Sequence, residues 1–185
     1  MKNRIIIFST SIIMLVSACK KDDNNVYSPN PINEEELITT VSLSFNSNAF
    51  PTLPIVYNYR DIDGIGGLPP SIDTIKLNSN LNYMLNVMFL DESKTPTVDI
   101  TEEVAEEAND HLVVFETDTN YLKINITDLD TNTPALPIGL SSTITSKAKG
   151  TTTLRIRLKH QPGIKNGDPN LGETDVDVVY PVVIY

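Results

Sequence analysis

The feature that most constrains this chain is a two-residue alternation of apolar and polar side chains that recurs from residue 41 to the end. In "TVSLSFN" Val41, Leu43 and Phe45 fall on one face, and in "LPIVYNY" Leu53, Ile55, Tyr57 and Tyr59 do the same. Successive side chains of an extended strand point to opposite faces, so this period marks half-buried strands. The segment "LNYMLNVMFL" is apolar on both faces, with Leu81, Tyr83, Leu85, Val87 and Phe89 on one and Met84, Met88 and Leu90 on the other, which suits a central strand. Further strands are expected at "HLVVFET", "YLKINIT", "IGLSSTIT", "TTTLRIRLK" and "DVDVVYPVVIY", separated by turn-rich stretches such as "DLDTNTPALP" and "QPGIKNGDPNLGE". This spacing predicts a mainly β fold, a single antiparallel β-sandwich of immunoglobulin-like kind. Pro181 inside the last strand calls for an edge position or a bulge there. Strands do not alternate with long helices, which disfavours a parallel α/β domain.

One short helix is expected at "DITEEVAEEANDH". Asp99 with Glu102 three residues on has capping-box spacing, and Thr101 is a competing cap. Ile100, Val104 and Ala108 repeat at i, i+4 and i+8, a narrow apolar stripe able to lie across one end of the sandwich.

The N-terminal segment is of another kind. Lys2 and Arg4 precede "IIIFSTSIIMLVSA", an apolar run too short for a comfortable membrane-spanning helix. It reads as a secretory signal peptide over residues 1–18. Val16, Ser17, Ala18 and Cys19 resemble the lipobox of bacterial lipoproteins, in which the cysteine becomes an acylated N-terminus. Stable anchoring takes more than one acyl chain, and a diacylated Cys19 with a further amide-linked chain (palmitate and its like) would supply it. Cys19 is the only cysteine of the chain, so no second thiol remains to pair with it in an oxidising compartment. Lys20, Lys21, Asp22 and Asp23 resemble the export signal after the cysteine in lipoproteins of Bacteroidota, which implies the outer face of the outer membrane; a periplasm-facing lipoprotein is the alternative. Residues 19–36 are polar, Pro-containing and without apolar periodicity, and read as a flexible tether. Residues 37–185 form the β-sandwich domain, long enough to bury a substantial core.

The 14 basic and 24 acidic residues give a formal net charge of -10. Binding to phosphates rests on clustered Lys and Arg, so nucleic acid is excluded as a partner class. An acidic surface suits divalent cations, basic partners or plain solubility.

Four groups of residues carry candidate chemistry. Glu103, Glu107 and His111 fall at i, i+4 and i+8, and if the helix persists to His111 they stand in a row as ligands for zinc or copper, with a solvated acidic face as the competing and preferred reading. Asp61 and Asp63, followed by Gly64, Gly66 and Gly67, have the alternate-oxygen spacing of a calcium loop, although Ile72 occupies the place of an EF-hand's bidentate Glu. Asp128, Asp130 and Asn132 repeat that spacing, and Glu173, Asp175 and Asp177 offer a third set. Turn chemistry is the competing reading for all of these Asp residues. His160 precedes a Pro162-Gly163 turn and is expected at the surface, because nothing in the sequence brings it to His111. No nucleophile elbow, zinc-protease helix or phosphate loop is present. A glycosidase needs an aromatic-lined cleft, and the chain has no tryptophan. The chain is therefore expected not to be an enzyme.

Together "ITTVSLSF", "YRDIDGIGG", "ITEEVAEEANDH" and "LKHQPGIK" with "GETDVDV" resemble small, largely uncharacterised lipoproteins of Bacteroidota, particularly the flavobacterial type. The resemblance spans nearly the whole chain, including lipobox and tether, and carries no activity or site residues with it. Chains of this kind are sometimes assigned a type 1 periplasmic binding fold. That fold needs repeated parallel strand and helix units, which the pattern here lacks. Two functions follow: a non-catalytic, surface-exposed lipoprotein that presents loops or a sheet edge to a protein or glycan partner, or a lipoprotein domain that binds calcium, zinc or copper.

Overall fold

The computed structural model describes residues 37–47, 49–64 and 66–185, and for 50–53 the backbone alone. The signal segment, Cys19 and the tether lie outside the described residues. In chain order the elements are β1 (Thr40–Ser47), β2 (Phe50–Arg60), β3 (Ser71–Ile72), β4 (Ile75–Leu77), β5 (Asn82–Asp91), β6 (Val98–Asp99), α1 (Ile100–Glu106), β7 (His111–Thr117), β8 (Leu122–Ile126), β9 (Ser141–Ser146), β10 (Gly150–His160) and β11 (Glu173–Ile184). They build a β-sandwich with one short helix. One sheet runs β3-β2-β1-β5-β9-β8, with β6 added against the end of β5, and the other runs β4-β11-β10-β7. Pairing is antiparallel except for β4, which runs parallel to β11.

Alternation decides which side chains meet between the sheets. Val41, Leu43 and Phe45 from β1 and Tyr83, Leu85, Val87 and Phe89 from β5 are buried against Leu154, Ile156 and Leu158 from β10 and Val178, Tyr180 and Val182 from β11. β5 lies between β1 and β9, a central position as its composition requires. Its opposite face is not buried: Met84 is 57% and Met88 39% exposed. Pro181 sits where β11 has lost its outer neighbour, since β4 covers only Val182, Val183 and Ile184. Its missing N–H therefore costs the ladder nothing on that side.

Tyrosine hydroxyls stitch the two layers. Tyr180 donates to the Val41 carbonyl at 2.7 Å, and burial pushes its phenol far up. From the other sheet, Tyr57 donates to the Lys76 carbonyl and accepts from the Lys76 N–H, both at 3.0 Å. A buried phenol needs such a partner, and the pairings hold one sheet in register with the other.

α1 begins at the expected place and ends early. Asp99 is the N-cap, accepting from the Thr101 N–H at 2.9 Å. Thr101 is not the cap; its hydroxyl turns to β5, accepting from the Phe89 N–H (2.9 Å) and donating to the Phe89 carbonyl (3.3 Å). Ile100 and Val104 bury the inner stripe, but Glu107 is already the C-cap, so Ala108 falls beyond the helix.

Candidate metal centre

The early helix end breaks the row of Glu103, Glu107 and His111. Glu103 stays on the exposed helix surface and its carbonyl takes the Glu107 N–H at 2.8 Å. The chain turns through residues 107–110 and enters β7 at His111. Residues 161–172, between β10 and β11, clamp this turn: the Gln161 N–H donates to the Asp110 carbonyl (2.6 Å), the Gly163 N–H to the Asp110 carboxylate (3.1 Å), and Lys165 Nζ to the Ala108 carbonyl (2.7 Å). The clamp brings Glu107 beside the end of β10.

There β7 and β10 pair so that His111 faces His160 directly. The two rings stack with centroids 4.7 Å apart and planes 17° from parallel. Ligand atoms of Glu107, His111 and His160 all lie within 4.8 Å of one another, with both histidines buried and Glu107 exposed. Among the described residues this is the one such group of three or more. Donor atoms about 3.4 Å apart surround a tetrahedral zinc with bonds of about 2.0–2.1 Å. The 4.8 Å limit exceeds that spacing, so the three side chains must draw together to hold an ion.

The local hydrogen bonding prepares His111 as a ligand. Its Nδ1 lies 3.2 Å from the Glu107 carbonyl, and a carbonyl only accepts, so Nδ1 carries the proton. Nε2 is left with the lone pair a metal needs, the arrangement usual for ligating histidines. Burial holds the His111 imidazole below its ordinary range, and neighbouring His160 adds to this against the opposing Glu107 carbonyl. The neutral, ligating form is thus favoured. Burial raises the Asp175 carboxyl, while the nearby imidazoles of His111 and His160 act the other way.

Of the aspartates with calcium spacing, Asp63, Asp128 and Asp130 have other partners for their carboxylates. Asp128 accepts from the N–H groups of Gly139 (3.0 Å), Leu140 (2.8 Å) and Ser141 (3.1 Å). Asp130 accepts from Leu136 (2.7 Å) and Asn132 (3.1 Å) and pairs with Lys165 Nζ at 2.9 Å, both side chains fully shielded from solvent. These carboxylates staple residues 127–140 to β9 and to the clamp. Asp63 accepts from the Leu68 N–H at 2.7 Å, which folds its loop on itself; Asp61 bonds the Thr39 carbonyl through its backbone N–H, and its buried carboxylate Oδ1 has no hydrogen-bond partner among the described residues. None of the four joins a group of three ligating side chains among the described residues. Asp177 is committed to Arg155 at 2.7 Å.

Sequence reasoning missed His160 as a member of the group. Its only sequence signal was its place at a strand end, as for His111. Compared with known protein families, curated proteins and solved structures, the chain matches none.

Proposed function

We propose that this is a non-catalytic, lipid-anchored domain that binds a divalent transition-metal ion at Glu107, His111 and His160. The convergence of two buried imidazoles and a carboxylate within 4.8 Å carries the reading. Imidazole nitrogen with one carboxylate suits zinc or copper, whereas calcium takes six to eight oxygens. A metal ranks ahead of a protein or glycan partner because the exposed apolar side chains of the large sheet are dispersed. Met88 faces Ser42 on β1 and Met84 faces Asn46 on β1 and Thr143 on β9, and single apolar residues among polar ones need no partner.

The thermal midpoint of the protein tests this. Zinc or copper at about 100 times its dissociation constant, added to chelator-treated protein, should stabilise it by about 2.7 kcal/mol and raise the midpoint by roughly 5–10 °C. Calcium should leave it unchanged, and His160→Ala should abolish the rise. An unchanged midpoint with every transition metal in a cooperatively melting protein would sink the proposal.

Export and anchoring at Cys19 are the second part of the proposal, supported by the order of basic end, apolar run, small residues and cysteine. Among the described residues no helix is long and apolar enough to cross a membrane. The mature protein should partition into detergent and carry the mass of a lipidated Cys19. Cys19→Ser should leave it unlipidated, and an unmodified Cys19 in mature wild-type protein would refute anchoring.

A further inference from the structure

We propose that Asp175 is a fourth ligand of this centre, an inference that rests on the metal-binding reading above. β10 and β11 pair without interruption from Gly150 opposite Ile184 to Leu158 opposite Val176. The register then shifts: Lys159 faces Thr174 and His160 faces Glu173, which leaves Asp175 as the one extra residue. An extra residue bends its strand and re-aims a side chain, and such bulges gather beside functional sites.

Strict alternation would turn Asp175 outward with Asp177, because Val176, Val178 and Tyr180 have the inward parity. Asp177 obeys that alternation and meets exposed Arg155. Asp175 has no residue opposite it on β10 to impose that alternation. It is only partly exposed, and it lies between Thr174, which faces Lys159, and Val176, which faces Leu158. The register shift falls between Leu158 and Lys159, within two residues of His160 on β10, so the residue it frees on β11 lies next to the end of the ladder that carries the histidine pair.

The chemistry of the enlarged set is self-consistent. Two neutral imidazoles with two carboxylates bring a charge of about -2 to a divalent ion, so a partly buried centre becomes neutral on binding. Four protein ligands fill a tetrahedron and leave no open position, the pattern of structural rather than catalytic zinc. Asp175 is not among the atoms that already converge within 4.8 Å, so its side chain rotates inward when the ion enters.

Cobalt(II) titration of the detergent-purified full-length protein tests the assignment, because the intensity of the cobalt d–d bands reports coordination number. Wild type should show the strong bands of a four-coordinate ion. Asp175→Asn should weaken cobalt binding by about 10–100-fold and lower band intensity, Asp175→Glu should restore part of both, and Asp177→Asn should change neither. Wild-type affinity and spectrum in Asp175→Asn, with binding lost in His160→Ala, would overturn the role of Asp175 alone. Failure of wild type to bind cobalt, zinc or copper would overturn this inference together with the metal-binding reading.

Discussion

Replacing Lys165 by methionine is expected to destabilise the domain by about 3–5 kcal/mol, because it strips the cation from a buried carboxylate while keeping most of the aliphatic volume. Lys165 Nζ bonds Asp130 at 2.9 Å and the Ala108 carbonyl at 2.7 Å, with side-chain exposures of 1% for Lys165 and 0% for Asp130. Three segments meet at this ammonium: the turn after α1, residues 127–140 and residues 161–172. Burial by itself would raise the Asp130 carboxyl, but the Leu136 N–H, Lys165 and Asn132 outweigh it and hold it at about 2. A carboxyl lowered by folding contributes stability that is complete above its unfolded value of 3.8 and is lost as pH falls from there through about 2. Wild type should therefore lose stability over that acid window, and Lys165→Met should show a shallower loss because the cation that lowers the carboxyl is gone. Urea denaturation at neutral and acid pH measures both effects. A variant within about 0.5 kcal/mol of wild type at neutral pH, the range of ordinary surface changes, would show that the ion pair holds nothing together.

Gly172→Ala should be nearly as damaging, by about 2–4 kcal/mol, and should also weaken metal binding. Gly172 has φ +71°, and a Cβ there would lie 2.0 Å from the His160 carbonyl oxygen and 2.8 Å from Gln161 Cγ. A backbone atom cannot swing aside as a side-chain tip can, so the end of β10 must shift and carry His160 with it. The same displacement strains Lys159 Nζ, which bonds the Gly172 carbonyl at 2.9 Å. Gly163 supplies the control: its φ is +67° but nothing lies within 4 Å of its Cβ position, so Gly163→Ala pays only the backbone strain of about 1 kcal/mol. Denaturation midpoints with and without zinc separate the two substitutions. Equal losses in both would mean that the contact with His160 is not the cause.

The strands of this domain were legible because burial writes itself into a strand at period two, and Val41, Leu43 and Phe45 reveal a buried face without knowledge of what covers it. The start of α1 was legible for the same local reason, since Asp99 caps through its own neighbour but one. Its end was not. No glycine marks it, and the helix stops at Glu106 as the chain turns toward β7 and is clamped by residues 161–172. The parallel pairing of β4 with β11 was also hidden, because a three-residue strand carries too little alternation to register.

What the sequence by itself determined is where the longer strands lie along the chain, their buried faces and the residue types able to bind a metal, all of which depend on near neighbours along the chain. Tertiary structure alone decided which of those residues meet. His111 and His160 face each other because β7 and β10 are adjacent and in register, and local periodicity carries no information on strand order. Lys165, in the turn-rich stretch between β10 and β11, has a buried side chain because three segments close over it. The bulge that frees Asp175 exists only as a mismatch between two strands, a property that neither strand possesses alone.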